Sequence, residues 1–115
     1  MSETYDLYQL GKMRLRDGMA AQATVPLEKA KRREPNKASI REALGIAYFR
    51  LSRWQEAEAE FRMLVELAPA DHYAHWALGR SLDRLGRPQE AARHYKLARF
   101  LRPRGAPDPG LPGAD

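Results

Sequence analysis

Leu44-Gly-Ile-Ala-Tyr48-Phe49, continued by Trp54, Ala57, Phe61, Leu64, Val65, Leu67 and Pro69, is the stretch that decides the architecture. It reads as a helix, a tight turn around Ser52 and a second helix that the proline closes. The same pattern stands 34 residues earlier and 34 residues later. Pro35, Pro69 and Pro103 share that spacing, as do Leu10, Leu44 and Leu78, then Gly11, Gly45 and Gly79, then Ala23, Ala57 and Ala91. The large apolar column Leu27, Phe61, Tyr95 and the turn column Gly18, Ser52, Gly86 keep the same register. A fixed period of this length marks a repeat array, in which no unit buries its own apolar face and stacked neighbours supply the core.

The period and its Leu-Gly, Ala, aromatic and Pro columns resemble the tetratricopeptide repeat from Thr4 to Gly105. The resemblance implies an all-α fold, a right-handed superhelical stack (α-solenoid) of three antiparallel helical hairpins. Its repeats fall over residues 4–37, 38–71 and 72–105, within a single domain over 1–105. Pro88 suits the start of the last helix, where its missing donor costs little. The first repeat departs from the pattern. Arg14 stands in a column filled elsewhere by Tyr48 and Leu82, and Pro26 falls inside the second helix. A proline there loses a backbone donor and clashes with the carbonyl four residues back, which predicts a kink or a late helix start. Residues 106–115 are rich in Pro and Gly and predict a flexible tail with no capping helix. The open face of the third repeat must then be polar, covered by the tail or used in self-association. Arg93, Lys96, Arg99 and Arg102 along its last helix favour solvation.

In this family the first helix of each hairpin lines a concave groove. Transferring its groove positions residue by residue implicates Tyr5, Tyr8, Lys12, Leu15 and Arg16, then Ser39, Glu42, Ile46, Phe49 and Arg50, then Tyr73, Trp76, Arg80, Asp83 and Arg84. Tyr8, Phe49 and Trp76 are the expected anchors, while Lys12, Arg16, Arg50, Arg80 and Arg84 would select negative charge. Rigid aromatic area beside guanidiniums suits an acidic peptide of a partner protein that carries apolar anchors. The competing reading is that the aromatics pack between helices and the arginines pair with Glu42 and Asp83. The dicarboxylate clamp by which some members hold chaperone C-termini falls on Tyr8, Lys12, Ala43, Tyr73 and Ala77. Only one of these is basic and none is an amide, so chaperone-tail binding of that type is not expected.

The chain has no cysteine and 43% hydrophobic residues. Disulfides and thiolate chemistry are excluded, and one small core in a reducing, cytoplasmic setting is the expectation. The acidic N-terminus lacks a secretory pattern and no apolar run is long enough to span a bilayer, so no membrane partner is expected. The net charge is +5. It makes nucleic acid an alternative partner, through the cluster Lys29, Lys31, Arg32 and Arg33, although cations in a helix's last turn also complement its dipole. A monomer or weak homo-oligomer is the expected state.

Catalytic motifs are absent: there is no glycine-rich phosphate loop, no cysteine and no serine in a nucleophile turn. The protein is read as non-enzymatic, with no cofactor and no metal. Asp71, His72 and His75 are near in sequence, but Asp71 suits a helix N-cap, and His94 on another helix adds little. Glu56, Glu58, Glu60 and Glu66 are read as the solvated outer face of their helix.

Overall fold

The structure is a computed structural model that describes residues 2–107 and 109. Six helices follow in order: α1 (Glu3–Arg16), α2 (Ala20–Arg33), α3 (Ala38–Arg50), α4 (Trp54–Leu67), α5 (His72–Arg84) and α6 (Pro88–Leu101). No strand occurs among the described residues. The helices pair as the hairpins α1–α2, α3–α4 and α5–α6, and the second helix of each hairpin packs on the first helix of the next. The result is the all-α stack expected from the 34-residue period.

The periodic columns do distinct physical jobs. At the turns, Gly18, Ser52 and Gly86 all adopt positive φ, the left-handed conformation that ends a helix and reverses the chain. Each turn is closed by the same long backbone bond: Met19 N–H to Arg14 O, Arg53 N–H to Tyr48 O and Arg87 N–H to Leu82 O, at 2.8 to 3.0 Å. Within each hairpin, a Cβ built on Gly11, Gly45 or Gly79 would fall inside 3.0 Å of the Leu27, Phe61 or Tyr95 side chain, respectively. The glycine column and the large apolar column are therefore two halves of one contact. Ala23, Ala57 and Ala91 are fully buried where the paired helices approach.

α2 continues through Pro26 and starts before it, so it neither breaks there nor begins late. The carbonyl that Pro26 leaves without its helical donor belongs to Gln22. Arg14 Nη1 donates to that carbonyl at 3.1 Å. The two departures of the first repeat are thus a single feature, with a side chain of α1 supplying the hydrogen bond that α2 cannot make. Pro88 opens α6 as expected. Of the tail, residues 106, 107 and 109 have no regular secondary structure, and its remainder lies outside the described residues.

The junction between the first two hairpins is ionic. Glu60 is only 4% exposed and accepts from Lys31 Nζ at 2.8 Å and Arg41 Nη1 at 2.9 Å. Lys31 also pairs with Glu28, which in turn accepts from the Tyr48 hydroxyl. Reading Glu60 as part of a solvated outer face is therefore wrong: a buried carboxylate is retained because two cations from neighbouring helices neutralise it. At the second junction Arg62 and Arg87 each bridge Glu58 and Glu90 across α4 and α6.

Candidate functional site

The groove residues inferred from the family register separate into two groups on α1, α3 and α5. At one end, Tyr8, Lys12, Leu15, Ser39, Glu42, Ala43 and Ile46 line a cleft between α1 and α3. Lys12 Nζ lies 5.4 Å from the Tyr8 ring centroid, so cation and aromatic stand together on one face. Tyr5 is about half exposed and belongs with Tyr8 to an adjoining cleft that also takes in Glu34 and Lys37. Arg16 is exposed at the end of α1.

At the other end a ladder of alternating cations and rings joins α5 to the second hairpin. The Arg80 guanidinium lies 5.7 Å from Trp76 and 6.0 Å from Phe49, and that of Arg84 lies 6.0 Å from Phe49 and 5.1 Å from Trp54. Trp54 meets Phe49 edge-on at 4.8 Å, and Trp76 lies 6.0 Å from Tyr73. Trp54 was not among the sequence candidates, because it opens α4 and only the α4–α5 packing brings it beneath Arg84.

One of the expected roles fails. Phe49 is 1% exposed, so its ring is the covered floor under Arg80 and Arg84 and not an anchor for a ligand. Arg50 Nη1 donates to Leu15 O at 2.5 Å. Its charge closes the carbonyl end of α1, where the helix dipole is negative, and also acts on the Tyr73 phenol. Asp83 accepts from the Tyr95 hydroxyl at 2.7 Å, which ties α5 to α6.

Between the two groups lies a polar centre. The Tyr73 hydroxyl and Arg80 Nε are buried, and neither has a hydrogen-bond partner among the described residues. Burial, and then the nearby carboxylates of Glu42 and Asp71, push the Tyr73 phenol well above its ordinary pKa, so it remains a donor throughout the physiological range. Burial and then Asp71 raise the pKa of Glu42, with Lys12 opposing them. A buried donor without an acceptor costs about 1 to 3 kcal/mol, and this groove carries two of them.

Other candidate residues also have partners within the fold. Lys31, counted among the polyanion-binding residues, is taken up by Glu28 and Glu60. Arg33 pairs with Glu3 at 2.8 Å on the surface, beside exposed Lys29 and Arg32. Asp71 caps α5 by accepting from Tyr73 N–H at 3.0 Å. His75 is buried and faces inward, away from any shared site with His72. Its Nε2 lies 2.8 Å from the Pro69 carbonyl and must carry the proton, so its Nδ1 accepts from His94 Nδ1, 3.2 Å away. His94 is therefore the partner that joins α6 to α5. Among the described residues no group of three or more His, Cys, Asp or Glu could hold a metal ion. No helix among them is long and apolar enough to cross a membrane.

A linear stack of helical hairpins that lines one groove with side chains from alternate helices is a helical-repeat scaffold. The model of the tetratricopeptide repeat matches residues 10–72 and 42–109, and the chain belongs to that family. No curated protein matches the sequence. Among solved structures, a MamA mutant is 27% identical with a TM-score of 0.84, covering 90% of this chain and 75% of its own. MamA AMB-1 is 28% identical with a TM-score of 0.81, and the match covers 85% of this chain and 58% of that one. The second tetratricopeptide domain of Spaghetti (RPAP3), solved with the HSP90 peptide SRMEEVD, shares the fold with a TM-score of 0.83 at 17% identity, over 88% of this chain and 94% of that one.

Proposed function

We propose that this protein is a non-enzymatic cytoplasmic interaction module that holds an extended segment of a partner protein in the groove of α1, α3 and α5. The observation that carries the reading is the pair of buried donors, Tyr73 Oη and Arg80 Nε, left without acceptors on the groove side of α5. A folded core satisfies its buried donors internally. Two that are unsatisfied beside a groove are suited to acceptors that arrive with a ligand once a turn of the Tyr73 and Arg80 side chains uncovers them, such as main-chain carbonyls or a carboxylate.

The surrounding charges favour an acidic segment. Lys12, Arg16, Arg80 and Arg84 supply the cations, and Tyr8, Ile46, Tyr73 and Trp76 supply apolar contact. Glu42 at the centre restricts the acidic stretch to the flanks of the groove. The HSP90 peptide bound by the RPAP3 domain is acidic, but its clamp does not carry over. Ala43 and Ala77, at two of the clamp positions, are buried methyl groups with no polar atom to offer. The nucleic-acid alternative is weakened by the neutralisation of Lys31 and the pairing of Arg33.

The test is selection of peptides from a displayed random library on the full chain, followed by calorimetric titration of the selected sequences. Enrichment of acidic residues, with at least a tenfold loss of affinity for Tyr73→Phe and for Arg80→Met, is the expected result. Selected peptides that bind both variants as tightly as the parent would refute the groove.

A further inference from the structure

The outward side of α6 carries a surface that neither the fold nor the groove uses. Phe100 is 85% exposed and Leu97 43% exposed, and the two share a shallow apolar surface with Arg93 and Lys96. The positions equivalent to Phe100 are Arg32 and Glu66, and those equivalent to Leu97 are Lys29 and Met63. Hairpin packing therefore does not call for an aromatic at this point, and the Phe100 ring takes no part in the core. Glu90 of the same helix is held by Arg62 and Arg87. A protruding phenyl ring thus stands beside two cations, Arg93 and Lys96, that form no ion pair among the described residues.

We propose that this face seats the protein peripherally on an anionic lipid bilayer. Phe100 and Leu97 enter the headgroup boundary, and Arg93 and Lys96 lie against the acidic headgroups. The pattern of charge selects the occupant. Exposed apolar side chains flanked by cations match an anionic bilayer, which is acidic at its surface and apolar just beneath. Each cation near such a surface strengthens partition about fivefold, and a single aromatic insertion adds to that. A second copy is a poor occupant. A symmetric pairing would set Arg93 and Lys96 against their own duplicates, and two apolar side chains fall far short of the roughly 800 Å² per partner that stable interfaces bury. Docking of this kind is peripheral and requires no membrane-spanning helix.

The experiment is co-sedimentation of the full chain with vesicles of phosphatidylcholine alone and of phosphatidylcholine mixed with phosphatidylserine, at low and high salt. The protein should pellet only with the phosphatidylserine vesicles, and salt should weaken the binding. Phe100→Ala should reduce partition roughly tenfold, and the Arg93→Glu, Lys96→Glu double variant should abolish it. All of these positions are exposed, so both variants should melt like the parent; far-ultraviolet circular dichroism checks this. Three results would overturn the proposal: protein left in the supernatant at about 1 mM anionic lipid, equal pelleting with phosphatidylcholine alone, or undiminished binding by Phe100→Ala.

Discussion

Replacing Arg14 by leucine isolates the bond that lets α2 run through a proline. Leucine is the residue that Leu82 places in the same column of the third hairpin, so the change removes the guanidinium while keeping an apolar stem for packing. What is lost is the hydrogen bond to Gln22 O at 3.1 Å. A hydrogen bond from a charged donor contributes about 1.5 to 3 kcal/mol, but this one lies near the surface, and water can replace part of it. A loss of about 1 kcal/mol is therefore expected, equivalent to a fall of about 0.5 M in the urea midpoint for a chain of this size. In a Pro26→Ala background the restored amide serves Gln22, and Arg14→Leu should cost close to nothing. The four proteins form a double-mutant cycle, read by urea unfolding followed at 222 nm, and its coupling term should be about 1 kcal/mol. The cycle removes the packing lost with the buried proline ring, because that loss enters both arms. If Arg14→Leu cost the same in both backgrounds, Arg14 would not be standing in for the missing donor.

Tyr73→Phe should leave stability unchanged or raise it by up to about 1 kcal/mol, because it deletes a buried donor that has no acceptor, while it weakens peptide binding. Opposite signs in thermal melts and in calorimetric titration are the expected signature. Gly45→Ala should destabilise by about 1 to 2 kcal/mol, since the new methyl meets the Phe61 ring; differential scanning calorimetry would show a lower Tm, and an unchanged Tm would refute the packing argument. Burial, followed by repulsion from His75, Arg62 and Arg93 against the attraction of Glu90, holds His94 below its ordinary pKa of 6.5. The unfolded chain therefore binds the proton first. The stability that His94 contributes is complete above that value and is lost as the pH falls below it. A series of melts from about pH 8 to pH 5 should show a Tm that drops on the acid side, and His94→Gln should flatten the drop.

The stacking columns were legible in the sequence because they obey geometry that every hairpin shares. Gly45 must be small since Phe61 sits against it, and the same necessity recurs 34 residues away in both directions. Phe49 shows the limit of that logic. Its register gives the direction of the side chain, but its depth depends on Arg80 and Arg84 of the next hairpin closing over it. Glu60 was misread for a related reason. Whether a charged residue on an outer helix is solvated or buried depends on which cations the adjacent hairpin presents, and those change from junction to junction. Arg14 and Pro26 were each visible as exceptions. Their relation was not, because it joins a side chain on one helix to a carbonyl on the other.

The way the hairpins touch has a consequence for how the chain comes to be folded. Apart from a slight contact between α1 and α3, each helix packs mainly on the helices next to it in sequence. Nothing made early waits for a distant segment to arrive, so the first hairpin can pair as soon as α2 has been synthesised, and each later one adds to a template already standing. Growth of this kind resembles the extension of a one-dimensional crystal, with Lys31 and Glu28 displayed on the growing end as the landing site for α3 and α4.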